Sequence, residues 1–359
     1  MESARDEPPA DALVSLDEYV EHLQACLLQW DPTSDVKGAP KQQFVEALTE
    51  IAALPLDSMS MEIRRLLVVH GQRHRAIASD QDDAAVVGAN SNESAVSDDD
   101  AYENPALLHL LAALRCRDVL LKCKAANAVG SLCISRVAGQ QLLDRHGDVL
   151  LSTLMKMATR KNKWAQGDAY FVLGWIVVIA EDAMLAPIAR LVPSVIRFLH
   201  RSVTEDDNGD LTMAPPSEDA SNFRIYALVL LLNFMQRDSS AIAAEVQSLM
   251  QTLRAIVLKL NRQPVVANVT SNTSTSTSLD PLEFVELLRL TVTFLSLMVD
   301  QIPTAAPLVL ELTMLSALLK LSHVLQQVQD ADLLGGDEQE AADLKTRMDA
   351  IIATVLASR

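Results

Sequence analysis

Glycine is scarce in this chain, with 11 among 359 residues, and aromatic side chains make up only 4%. With Ala, Leu and Val abundant, those shortages favour helix formers over strand formers, and an all-α protein is expected. Cysteine is equally sparse. Cys26, Cys116, Cys123 and Cys133 form no CxxC pair and sit among Ala, Leu and Val, so reduced, core-packed thiols are expected. No His or fourth Cys stands at ligand spacing from Cys116, Cys123 and Cys133 to complete a zinc site. A membrane-length hydrophobic run is missing as well. The stretch GDAYFVLGWIVVIAED is uncharged only from Ala169 to Ala180, 12 residues, where a bilayer span needs roughly 20. The N-terminal MESARDEPPADALVSLDEYV has acids and prolines where a signal peptide would have a basic end and an apolar run. A cytoplasmic or nuclear location is therefore expected, with neither secretion nor a membrane partner.

What is present is a large apolar inventory: 49% of positions are hydrophobic and the mean hydropathy is +0.16, enough to bury a sizeable core as one elongated array or two domains. Charge is uneven. The net charge is −17, yet the segment from Asn104 to Arg201 holds 13 Lys and Arg against 6 Asp and Glu. A basic module thus sits inside an acidic chain.

Along the chain, Ser15-Leu16-Asp17-Glu18 reads as a capping box that starts a helix carrying Leu16, Tyr19, Leu23, Cys26, Leu27 and Trp30 on one stripe. Two further helices carry Phe44, Leu48 and Ile51, then Ile63, Leu66, Leu67 and Val69. Residues 79–103 hold acids, Ser, Asn and small residues with no Lys or Arg, the composition of a flexible acidic linker. Ser97 before Asp98, Asp99 and Asp100 would suit an acid-directed kinase, although such strings are common in solvated loops. Asn104-Pro105 restarts helical sequence as an N-cap with Pro at the first helical position. Breaks are expected at Asp118, Gly147-Asp148, Asn162 and Pro193. The domain reading is 1–79 as an N-terminal helical segment with a disordered tail, 80–103 as the linker, and 104–359 as a helical repeat domain. Polar insertions interrupt that domain at 202–222 and 261–280, and a last amphipathic helix with Leu344, Met348, Ile351, Ile352 and Val355 should cap it.

The repeats are carried by an octet. It occurs as AANAVGSL from Ala125, AYFVLGWI from Ala169 and ALVLLLNF from Ala227, with a looser copy, TVTFLSLM, from Thr291. Positions four, five and eight are apolar, on one helical face with position one. The octets and the upstream QQLLDRHGDVLLSTLMKM and MLAPIARLVPSVIRFL resemble the armadillo family, with features shared by HEAT repeats. The resemblance is best from Asn104 to Leu199. It implies a right-handed α-solenoid whose third helices line a concave surface, with both polar insertions falling between a second and a third helix on one edge.

No phosphate-binding glycine loop, GxGxxG, HExxH or nucleophile elbow occurs, and no enzymatic activity, cofactor or metal is expected. His70 and His74 have metal-compatible spacing, but Gly71 stands where a zincin has Glu. The sequons at Asn268 and Asn272 argue only for exposure. Nucleic-acid binding is disfavoured by the net charge and by the lack of interleaved aromatics.

In armadillo proteins octet positions three and seven face the groove, and nuclear-import adaptors of the karyopherin-alpha type place Trp and Asn there. In this chain position three is Asn127, Phe171 and Val229, and position seven is Ser131, Trp175 and Asn233, so that ladder is absent. The partner-binding candidates are Asn127, Ser131, Phe171, Trp175 and Asn233, with a basic rim of Lys122, Lys124, Lys161 and Lys163. A protein or peptide partner, including one with acidic residues, would lay anchors on Phe171 and Trp175, unless both aromatics are core. The acidic loop from Glu205 to Asp219 would then compete with an acidic ligand. The expected function is a non-catalytic interaction scaffold or adaptor. Two alternatives stand beside it: an armadillo-like co-chaperone that drives nucleotide exchange on a 70-kDa heat-shock protein, and a regulatory subunit or helical enzyme with an undetected site.

Overall fold

The structure is a computed structural model that describes residues 15–33, 38–69, 104–204, 222–263, 281–330 and 338–358. Among the described residues all regular structure is helical, as the composition predicts. His70, His74, the acidic stretch 80–103 with Ser97, the Glu205 to Asp219 acids and both sequons lie outside the described residues. Packing divides the chain into two units, Met1–Leu150 and Leu151–Arg359.

The first unit holds α1 (Leu16–Leu28), α2 (Ala39–Ala52), α3 (Ser58–Val69), α4 (Pro105–Ala113) and α5 (Val119–Ile134). The capping box at Ser15 forms: its Oγ accepts from the Glu18 N–H at 3.2 Å, and Glu18 Oε2 accepts from the Ser15 N–H at 2.9 Å. Asn104 caps α4 by accepting from the Leu107 N–H at 3.3 Å, and its amide also donates to the Leu67 carbonyl at the end of α3 at 2.8 Å. Asp118 caps α5 in the same way, accepting from the Leu121 N–H at 3.2 Å. Helix α1 packs on α2, α3 and α4, while α2 and α3 pack on α5, so the N-terminal helices join those after Asn104 directly.

One polar side chain holds the middle of this unit. Arg64 is fully buried, and its guanidinium donates to the carbonyls of Leu54 at 2.6 Å, Pro55 at 2.8 Å and Ser131 at 2.8 Å. It thereby joins the α2–α3 turn to α5 and satisfies carbonyls that burial would otherwise leave unpaired.

Helix α6 (Arg136–Ala158) runs unbroken through Gly147, where a break was expected. The reason is phase: Leu143, Leu150, Leu154 and Met157 are all buried at seven-, four- and three-residue intervals, so the apolar stripe continues across the glycine. A helical glycine costs only about 1 kcal/mol against alanine, less than the loss of that stripe.

The second unit continues with α7 (Lys163–Ile179), α8 (Asp182–Ala189), α9 (Val192–Thr204), α10 (Phe223–Arg237), α11 (Ser239–Ala243) and α12 (Val246–Leu260). It ends with α13 (Pro281–Gln301), α14 (Ala305–Glu311), α15 (Leu315–Asp330) and α16 (Glu338–Ala357). Asn162 caps α7 by accepting from the Ala165 N–H at 2.9 Å. From α8 onward the helices fall into triads of a short first, a second and a third helix. Third helices stack in series, α7 on α10, α10 on α13 and α13 on α16, and the second helices α9, α12 and α15 stack likewise. This is solenoid packing. The polar insertions fall between α9 and α10 and between α12 and α13, each between a second and a third helix as expected.

Aromatic residues, few overall, gather where these layers meet. Trp164 and Tyr170 of α7, Phe198 of α9 and Phe223 of α10 form a chain of edge contacts with centroids 5.2 to 5.7 Å apart. Helix α16 buries Ala341, Leu344, Met348, Ile351 and Val355, while its remaining positions are mostly exposed and polar. No single helix among the described residues is long and apolar enough to cross a membrane.

Replacing Arg64 by Leu should lower the free energy of unfolding by about 3 kcal/mol, because the Leu54, Pro55 and Ser131 carbonyls lose their donor. Urea unfolding monitored by circular dichroism checks this; an unchanged midpoint would show that water serves those carbonyls equally well.

Candidate interaction surface

Burial sorts the octet positions cleanly in the second unit. Positions one, four, five and eight are buried throughout: Ala169, Val172, Leu173 and Ile176 on α7, Ala227, Leu230, Leu231 and Phe234 on α10, and Thr291, Phe294, Leu295 and Met298 on α13. Positions three and seven are partly exposed throughout: Phe171 and Trp175, Val229 and Asn233, Thr293 and Leu297. On a 3.6-residue period the first set forms one apolar stripe, and the second set lies one turn apart along its margin. Those six marginal residues carry no charge.

Helices α7 and α10 cross closely at Gly174. A Cβ placed there would stand 3.7 Å from the Leu230 Cα, an ordinary van der Waals contact, so the gap between the two backbones is about one methyl wide. That approach lets the Asn233 amide donate to the Gly174 carbonyl at 3.0 Å. Phe171 lies against Tyr226, with centroids 4.7 Å apart and planes tilted by 33°. Phe171, Trp175 and Asn233 therefore belong to one surface, on two rigid helices. Tyr226, just before the octet on α10, is its unforeseen member; the period of the pattern placed it outside the repeat.

The other candidates lie elsewhere. In the first unit, Asn127 is partly exposed, but Ser131 is buried, with its Oγ 3.2 Å from the Arg64 Nε. Lys122 is also buried, 2% exposed, because it shares a helical face with the buried Ala125, Ala126 and Val129. Ser131 and Lys122 are thus removed from any exposed surface. Lys124 is partly exposed and donates to Thr49 Oγ1 at 3.0 Å. Lys161 is exposed just before α7, and Lys163 is partly exposed at its first residue.

A further octet escaped the sequence pattern. On α2, Phe44, Ala47, Leu48 and Ile51 are buried at positions one, four, five and eight, and positions three and seven are the exposed Glu46 and Glu50. Glu50 accepts from the Tyr19 hydroxyl at 2.6 Å. Helix α2 stacks on α5 as α7 stacks on α10. Its signal is the one-four-five-eight spacing; Phe in place of Ala at position one, and the long interval before Ala125, hid it.

No family model matches the chain, and no curated protein matches it. Among solved structures, computationally designed armadillo repeat proteins for modular peptide recognition are 13% identical, covering 92% of this chain and 99% of that one at a TM-score of 0.49. A designed armadillo repeat protein is 12% identical, covering 93% and 99% at a TM-score of 0.47. Another, in complex with the peptide (KR)4, is 14% identical, covering 92% and 99% at a TM-score of 0.46. Likenesses this distant carry no assignment by themselves. The triads and stacked third helices of the chain itself make it an all-α helical repeat. No residue's role is carried over from structures this distant.

Reactive chemistry is muted in this helical-repeat frame. No group of three His, Cys, Asp or Glu side chains that could hold a metal occurs among the described residues. Burial pushes the Cys133 thiol up to about 12 and raises Cys26 and Cys116, so thiolate formation is suppressed at each. Burial also raises the Tyr170 and Tyr226 phenols, Tyr226 to about 12 with Asp168 adding to the shift.

Two outcomes follow from this geometry. Gly174→Ala should be neutral or stabilising by up to about 1 kcal/mol, since its methyl meets only ordinary contacts. Gly174→Leu should cost about 1–3 kcal/mol by forcing α7 and α10 apart. Thermal unfolding orders the three proteins, and a leucine variant as stable as the parent would contradict the close crossing. The raised phenols bind their protons more tightly folded than unfolded, so their contribution is complete below about pH 10 and is lost as pH rises toward about 12. The urea midpoint should fall from about pH 10 upward, and Tyr226→Phe should make that fall shallower.

Proposed function

We propose that this chain is a non-catalytic scaffold or adaptor that holds a protein or peptide partner along the third-helix face of α7, α10 and α13. The observation that carries this reading is the uncharged, partly exposed row Phe171, Trp175, Val229, Asn233, Thr293 and Leu297, set beside a fully buried stripe. Side chains needed only for packing would follow the stripe inward. Aromatic anchors on rigid helices offer large contact area at little entropic cost, which is the chemistry of binding hot spots.

A partner suited to this row has apolar or aromatic anchors for Phe171 and Trp175, a backbone or amide group for Asn233, and carboxylates for the open Lys161 and Lys163. An alternating basic peptide such as the (KR)4 held by one designed protein of similar fold finds no carboxylates among the six marginal residues.

The test is the Phe171→Ala, Trp175→Ala double variant of the full chain, compared with the parent by affinity purification with mass spectrometry and by circular dichroism. Proteins captured by the parent should be lost from the variant, corresponding to about 2 kcal/mol or more of binding, while helicity is retained. Unfolding of the double variant would assign both aromatics to the core.

A further inference from the structure

A second surface lies on the row of second helices, apart from the third-helix face. Helices α9 and α12 pack side by side, with His200 Nδ1 3.3 Å from Thr252 Oγ1. Their inner sides are apolar: Val195, Ile196 and Leu199 on α9, and Leu249, Leu253 and Ile256 on α12, are buried. Their outer sides are basic. Arg197 and Arg201 are exposed on α9, Arg254 and Lys259 are partly exposed on α12, and Arg190 and Arg262 are exposed at the two flanks. Neither helix contains an Asp or Glu, in a chain whose net charge is −17. Among the described residues none of Arg190, Arg197, Arg201, Arg254 and Arg262 forms an ion pair.

We propose that the α9–α12 face is a docking surface for a short acidic segment of a partner protein, with Arg197, Arg201 and Arg254 as its principal contacts. Spacing supports this occupant. Arg197 and Arg201 are one helical turn apart, about 6 Å, and neighbouring helix axes lie about 8–10 Å apart. Carboxylates at alternate residues of an extended chain, or one turn apart on a helix, recur at about the same interval. Each guanidinium can take a carboxylate through two parallel N–H donors.

The other anionic partners fit less well. An extended polyanion such as nucleic acid or a charged bilayer meets the repulsion of the whole molecule, whereas a short segment senses mainly charges within about 8 Å at physiological salt. Phe198, the aromatic of α9, is engaged in edge contacts with Tyr170 and Phe223, which leaves no free ring for base stacking. The exposed large apolar residues include none on α9 or α12 to enter a bilayer.

The experiment is fluorescence anisotropy of a fluorescein-labelled octaglutamate peptide with the full chain. The parent should bind, and more weakly at 0.15 M than at about 0.05 M salt as the screening length shortens. The exposed-site variant R197E/R201E/R254E should lose affinity by about tenfold or more, and the neutral R197Q/R201Q/R254Q by about threefold or more, both with parental circular dichroism. A K161Q/K163Q variant should still lose about tenfold or more in affinity when R197E/R201E/R254E is added, which separates this surface from the third-helix reading. Absence of binding by the parent at low salt, or undiminished binding by both arginine variants, would overturn the proposal. Tighter arginine-dependent binding to phosphatidylserine vesicles or to polyuridylate RNA than to the peptide would overturn the acidic-protein assignment.

Discussion

A three-helix repeat cannot cover its own apolar side, and everything in the second unit answers to that constraint. The run from Ala169 to Ala180, which α7 carries to its C-cap, is uncharged because its octet stripe is pressed against α10, not because it meets lipid. A small residue sets how close these helices come: at Gly174 only about one methyl's width separates α7 from the Leu230 backbone, and Ala169 and Ala227 are buried in the same stripe. Once they are that close, the Asn233 amide reaches across to a main-chain carbonyl, and Phe171 meets Tyr226. The partly exposed row is what remains at the margin of this packing.

Much of this was legible before any coordinates. The side-chain caps at Ser15 and Asn104 depend only on neighbours three residues away and form as read, and the breaks expected at Asp118 and Asn162 turn out to be caps of the same kind. The octets state their own register, since exposure follows helical phase. Misreadings came where a distant group decides the outcome. Gly147 reads as a break, yet the apolar phase on either side of it carries the helix through. Ser131 reads as a groove position until Arg64, 67 residues earlier, arrives beside it. Lys122 reads as rim because of its charge, although its phase matches buried alanines. The α2 octet was missed because position one is Phe and its stacking partner, α5, lies beyond a long acidic stretch. Periodicity is local information, while the partner that closes or opens a position is not.

Charge is partitioned by helix layer more than by region. The basic surplus between Asn104 and Arg201 looks like one module along the chain, but the fold disperses it. Lys122 goes inward, Lys124 bonds to Thr49, and Arg197 and Arg201 turn outward on a second helix. The third-helix row of the second unit is meanwhile free of charge, and α2 presents Glu46 and Glu50. One chain thus presents surfaces of different chemistry on different helix layers.

Arg237 adds a consequence of its own. From the last turn of α10 it donates to the Val178 carbonyl at 3.0 Å and the Ala180 carbonyl at 3.1 Å, and pairs with Asp182 at 3.0 Å, at the point where α7 gives way to α8. The carbonyls that end one helix are therefore closed by a side chain of the next repeat. Fraying of α10 would strip α7 of its terminal partners, so loss of order passes from later repeats to earlier ones instead of stopping at a repeat boundary. In a linear array, such a clasp converts neighbouring repeats into a single cooperative block, and the stiffness of the α7–α10 surface becomes a property of the pair.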